Sequence, residues 1–275
     1  MTPVCSGWIC NPAAEPPDCK SGGSGSYPFY GRLGGSMPPK TRQRLRITFA
    51  KGEPIKYISH LDLMRVWERV LRRAQVPLAY SEGFNPRPKI SIAAPLPVGF
   101  TGRGEVMDIV LSRRISPYNL INRLKPHLPP GLEILSVEEV YLSLPSLQSQ
   151  MRYAEYRVVV ESEETLAEME KRVEQVLSAQ NLPRQRERKG KVTEYDLRPL
   201  IDDLWIGSAR SPDRRREGTA CVLGMRLQSD SQATGRPDEA LEAMGLGDVP
   251  RSIERTRCLF GDAVEVGSWK LEIGD

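Results

Sequence analysis

The chain has 275 residues, and its 39 basic against 35 acidic side chains leave a net charge of +4, too mild an excess to mark a nucleic-acid binder by itself. A 39% hydrophobic content suits packed cores, and there is no run of about 18 apolar residues to span a bilayer. The start also lacks the basic-then-apolar pattern of a secretory signal, so the expected location is the cytoplasm.

Residues 1–36 carry SGGSGS and show neither a period of 2 nor one of 3.6, which predicts a disordered leader or an overextended start ahead of Met37. Cys5, Cys10 and Cys19 lie in this tail, while Cys221 and Cys258 lie in predicted strands, so no disulfide framework is spread over the fold. From Arg44, the apolar Leu45, Ile47 and Phe49 alternate with Arg44, Arg46 and Thr48 as in a half-buried strand. Ser59 then offers an N-cap, with Asp62 three residues on. The helix that follows gathers Leu63, Val66, Trp67 and Val70 on one side and Arg65, Arg69, Arg72 and Arg73 on the other.

Pro77 ends that helix. Leu78 to Ser81 reads as a short strand, and the loop Gly83-Phe84-Asn85-Pro86-Arg87-Pro88 is stiffened by its prolines. Strands follow at Ile90–Ala94 and Glu105–Leu111, then a helix from Pro117 to about Leu128 and a strand at Leu132–Val140. After Pro145 the pattern restarts with a strand at Tyr156–Glu161 and a helix at Glu164–Ala179. The hairpin arms Arg184–Lys191 and Val192–Asp196 come next, then a strand at Cys221–Leu227, a helix at Pro237–Met244 and a strand at Ser252–Phe260.

Two passes through β-α-β-β-α-β, without residue-level repetition, predict an α+β chain of two tandem ferredoxin-like units with antiparallel sheets. These are residues 37–145 and 150–262, followed by a tail at 263–275, with room for a shared sheet. The stretch 197–219 reads as a short helix or an irregular loop.

Little in the sequence points to catalysis. A radical-SAM iron–sulfur centre needs three closely spaced cysteines, and Cys5-x4-Cys10-x8-Cys19 does not match, so no metal or cofactor is expected. Asp202 and Asp203 read as carboxylates that face solvent or cap a turn. His60 reads first as a satisfied histidine at a helix start; Glu82 and Asp108 are the weak acid/base partners it has in a catalytic reading.

Basic clusters are the stronger signal. The plain reading of Arg65, Arg69, Arg72 and Arg73 is a solvated helix face, and the functional one is phosphate contact through guanidinium forks. Arg184, Arg186, Arg188, Lys189 and Lys191 surround the possible turn at Gly190, either as a soluble hairpin tip or as a probe of a nucleic-acid groove. Arg214, Arg215 and Arg216 form a third cluster. In the proline loop, Phe84 is placed to stack on a base or fill a partner's pocket, Asn85 to hydrogen-bond, and Arg87 and Lys89 to meet phosphate.

At YISHLDLMR (57–65), SEGFNPRPKISIAAPLPVG (81–99) and Glu105-x-x-Asp108, the chain resembles the bacterial radical-SAM-linked domain of unknown function. The resemblance continues through DLRPLI (196–201) and RSIERTRCLF (251–260), covering about residues 40–260. That domain occurs free-standing and as the C-terminal part of proteins with cobalamin-binding and radical-SAM domains. The resemblance implies a bacterial cytoplasmic accessory protein, often encoded near ribonuclease E/G and ribosomal-protein genes, and brings no catalytic residues. It does run through His60, Asp62, Glu82, Gly83, Asn85, Pro86 and Lys89 as candidates for a shared site.

The leading expectation is a non-catalytic RNA-associated accessory protein, serving a radical-SAM RNA-modification enzyme or a ribonuclease or ribosome-assembly pathway. One alternative is an adaptor that docks on a radical-SAM partner without RNA. Another is an enzyme with an acid/base site at His60, Glu82 and Asp108.

Overall fold

The computed structural model describes residues 42–188, 190–207 and 220–261, and the backbone of 271–272; of Glu187, Arg188 and Lys191 it describes the backbone alone. The expected leader at 1–36, the cysteines in it, Lys189, Arg214–Arg216 and nearly all of the 263–275 tail lie outside the described residues.

β1 (Gln43–Lys51) buries Leu45, Ile47 and Phe49, as its alternation predicts. α1 (His60–Arg73) is capped by Ser59, whose Oγ accepts from the Asp62 N–H at 3.2 Å and donates to the Asp62 carboxylate at 2.7 Å. Its apolar side packs on β1, where Trp67 meets Phe49 edge to face, ring centroids 5.1 Å apart, an arrangement that contributes about 0.5–1.5 kcal/mol beyond area burial. The helix stops at Arg73, four residues ahead of Pro77, with Gln75 in the left-handed region at φ +52°.

β2 (Ile90–Ile92), β3 (Thr101–Leu111), α2 (Pro117–Leu124) and β4 (Leu132–Val140) complete the first half. The expected strand at 78–81 is reduced to two isolated bridges, Leu78 to Leu111 and Tyr80 to Pro88. α3 (Leu147–Gln150), which the sequence did not suggest, leads into β5 (Met151–Glu161) and α4 (Leu166–Ser178). The last is opened by a Thr165/Glu168 capping box. β6 (Pro183–Arg188) and β7 (Lys191–Asp196) then form the expected hairpin, but it stands off the main sheet as a two-stranded sheet of its own.

β8 (Ile201–Ile206) corrects the loop expected within 197–219. A register shift between Ile201 and Asp203 breaks its alternation, so the period-2 signal is lost over six residues. β9 (Ala220–Gln228), α5 (Pro237–Ala243), β10 (Arg251–Phe260) and β11 (Leu271–Glu272) follow.

The main sheet runs β11-β4-β1-β3-β10-β5-β9-β8, with β2 also paired to β3. It is antiparallel except where β3 meets β10 in parallel over Thr101–Gly102 and Glu254–Arg255. The class is therefore α+β with a mostly antiparallel sheet, and a single sheet runs through both halves. Two apolar clusters back it, one centred on Trp67 and Ile47, the other on Tyr156, Val158 and Met225. The expected boundary at 145–150 falls on α3, and the described residues all belong to one compact unit, Pro39–Asp275. Among them, no helix is long and apolar enough to cross a membrane.

Candidate nucleic-acid interface

The antiparallel register of β1 and β3 brings Gln43 opposite Leu111, so the start of one strand and the end of the other share one edge. The end of α1 is tied to that edge. Pro77 O accepts from the Ser112 N–H at 2.8 Å, and the Ala79 N–H donates to Val110 O at 2.7 Å. From there the chain doubles back over a pinned neck: Lys89 N–H to Ala79 O and Ser81 N–H to Arg87 O, both at 2.8 Å, and Arg87 N–H to Ser81 Oγ at 3.0 Å. Gly83, at φ +130°, turns the tip, where Phe84 stands fully exposed. A long contact of Glu82 with Arg42, at 4.0 Å, relates the tip to the start of β1.

This placement gathers Arg42, Arg72, Arg73, Arg87, Arg113 and Arg114, all exposed, at one end of the first half. Arg114 is paired with Glu139 at 2.7 Å, and Arg72, Arg73, Arg87 and Arg113 carry no ion pair among the described residues. Arg42, Arg113 and Arg114 were missed from sequence because they lie singly or in a pair, far from the other arginines along the chain. Exposed Tyr80 and half-buried Lys89 flank the loop neck, and Asn85 is exposed beside Phe84.

Other expected contacts are placed elsewhere. Arg65 pairs with Asp62 at 2.9 Å near the start of α1, and Arg69 lies one turn further on. Arg186 departs from the phosphate contact expected of it: it turns inward to Glu239 at 3.1 Å, with its guanidinium 4.9 Å from the centre of the Tyr195 ring, while the side chains of Arg188, Lys189 and Lys191 lie outside what the structure describes. Arg184 is half-buried.

His60, Glu82 and Asp108 are not brought together. The Glu82 side chain is exposed at the loop tip. Asp108 is buried and accepts from Arg44 Nη2 at 2.6 Å and Arg46 Nε at 2.9 Å, so both its oxygens are engaged. His60 lies instead near the buried pair of Glu105 and Arg255. Burial pushes its imidazole below the ordinary histidine value; the Arg255 charge acts the same way, and Glu105 opposes both. Glu105 and Asp108, three positions apart on β3, point to opposite faces.

The sequence reading also missed the pair itself. Arg255 Nε and Nη2 donate to the Glu105 carboxylate at 2.7 and 2.5 Å, and the guanidinium also donates to the carbonyls of Ala94 and Pro95. Beside it, the Lys51 ammonium is buried and donates to Lys56 O at 2.9 Å. Burial lowers the Lys51 pKa; Glu105 opposes that shift and Arg255 adds to it. The signal was present in the resemblance, which runs through both Glu105 and RSIERTRCLF. Among the described residues, no group of three His, Cys, Asp or Glu side chains is placed to hold a metal.

A comparison with curated proteins gives no match. Among solved structures, a chain of a Cbf5-Nop10-Gar1 complex aligns over 78% of this chain with 8% identity and a TM-score of 0.40. This chain spans about half of that one, 48%. A glycine cleavage system transcriptional repressor aligns over 80% of this chain and 99% of its own, with 13% identity and a TM-score of 0.22. With both TM-scores below 0.5, neither likeness bears on function. Residues 44–237 match the family described as "uncharacterized protein conserved in bacteria", DUF2344, and the chain belongs to that family.

Proposed function

We propose that this chain is a non-catalytic, RNA-associated accessory protein of the bacterial cytoplasm. The observation that carries this reading is the placement of Arg72, Arg73, Arg87 and Arg113, none of them ion-paired among the described residues, at the end of the first half that also carries the fully exposed Phe84. Guanidinium groups without carboxylate partners bind phosphate oxygens as planar forks. An exposed ring on a pinned loop stacks on unpaired bases. The radical-SAM resemblance makes an RNA-modification enzyme the partner it would serve, with ribonuclease or ribosome-assembly pathways as the other setting. Both halves repeat one strand order, β4-β1-β3-β2 and β10-β5-β9-β8, which supports reading them as tandem ferredoxin-like units with β6–β7 inserted in the second.

Binding of fluorescein-labelled single-stranded RNA across a salt series tests the function. Affinity is expected to fall steeply with salt, and Arg72→Glu with Arg73→Glu to weaken binding and flatten the slope by about 0.7 per lost phosphate contact. A salt-independent affinity, or one unchanged in that variant, would refute the reading. The exposure of Phe84 also favours a second reading, an adaptor that docks on a protein. A partner complex from the bacterial host that survives nuclease treatment would select it.

A further inference from the structure

Arg255 does more than pair with Glu105. By holding the carbonyls of Ala94 at 2.9 Å and Pro95 at 3.2 Å, it fixes the segment 93–97 as one wall of a cleft of about 660 Å³. The facing wall is the turn before α5, organised by Asp230, whose carboxylate accepts from the Gln232 and Ala233 N–H groups at 2.8 Å each and from Gln228 Nε2 at 2.7 Å. Phe100, Met151 and Tyr156 supply apolar lining, and the β6–β7 hairpin contributes Arg186.

The charges lining the cleft are answered one by one. Arg255 is held by Glu105, Arg186 by Glu239, Asp238 by Arg251 at 2.8 Å, and Asp230 by its own turn. Arg236 remains: it is exposed at the cleft and has no carboxylate partner among the described residues. The hydroxyls of Ser231 and Thr234 lie along the same wall.

We infer that this cleft takes one nucleotide of an RNA strand, its base against the apolar lining and its phosphodiester on Arg236. The volume lies within the range of small-ligand pockets, which combine an apolar lining with a few placed polar groups. A single unanswered guanidinium matches the single negative charge of a phosphodiester better than the nearly double charge of a free nucleoside monophosphate, and hydroxyls on the wall suit a ribose. The inference rests on the RNA reading above but concerns a surface apart from the Phe84 loop.

The full-length protein is titrated against the labelled single-stranded RNA, with UMP and AMP as competitors. Arg236→Glu removes the cation and Thr234→Trp fills the cleft, and thermal unfolding confirms that each variant is folded. Each is expected to weaken RNA binding about tenfold, while millimolar UMP or AMP leaves the RNA bound. RNA containing 4-thiouridine is expected to photocrosslink to peptides spanning 93–100 or 229–238. Displacement by micromolar UMP or AMP would overturn the strand assignment in favour of free nucleotides. Unchanged affinity in both variants and no such crosslink would overturn the cleft; a loss in Arg72→Glu with Arg73→Glu would then leave the RNA reading standing. No binding of RNA by the unaltered protein would overturn both.

Discussion

Arg255 and Glu105 lie 150 positions apart in the chain and meet as a bidentate pair with both side chains 1% exposed. They sit where β3 and β10 pair in parallel over two residues each, so the ion pair reinforces the junction that joins the two halves of the sheet. Removing one partner strands a buried charge. Arg255→Met or Glu105→Leu alone is expected to cost about 3–5 kcal/mol, and the double variant to recover much of that loss. Urea denaturation of the three variants checks this; strictly additive losses would show that the pair is not coupled.

His60 should make stability depend on pH. Its folded-state pKa is depressed below the ordinary 6.5, chiefly by burial. The folded state therefore binds the proton less readily than the unfolded chain. Its stabilisation is present above the unfolded value and is lost as pH falls through the folded one. His60→Asn is expected to flatten the decline in unfolding midpoint between about pH 7.5 and about pH 5.5. The same decline in both proteins would assign the effect to other groups.

Phe84 packs on nothing that its removal would leave unfilled. Phe84→Ala is expected to shift stability by less than about 0.5 kcal/mol, yet to lower affinity for single-stranded RNA by about 1–3 kcal/mol through lost stacking. Thermal unfolding and fluorescence anisotropy on the same samples separate the two effects.

Gly224 lies beneath the Trp205 indole, and a Cβ there would collide with the ring. Gly224→Val is expected to push Trp205 off β9 at a cost of about 1–3 kcal/mol. A red shift in tryptophan emission, with Trp67 still buried, is the expected signature; an unshifted spectrum would mean that the strand moved instead.

Local chemistry was legible wherever one element could be judged by itself. Alternation located β1, Ser59 and Asp62 marked the start of α1, and Ser116-Pro117 marked that of α2. β8 was missed because its register shift erased the alternation. Arg186 looked free because its partner Glu239 lies 53 positions away. The grouping of Arg42 and Arg113 with Arg72 and Arg87 depends on strand register and on the pinned loop neck, neither of which leaves a local trace.

The sequence by itself determined the α+β class, most elements, the caps and the stiff Phe84 loop, because propensity, period and capping act within a few residues. Tertiary structure alone decided that one sheet runs through both halves, that Asp108 and Arg186 are occupied internally, and that Arg255 clamps the wall of a cleft. Those outcomes depend on which charges lose water together, and that is settled only when distant strands pair.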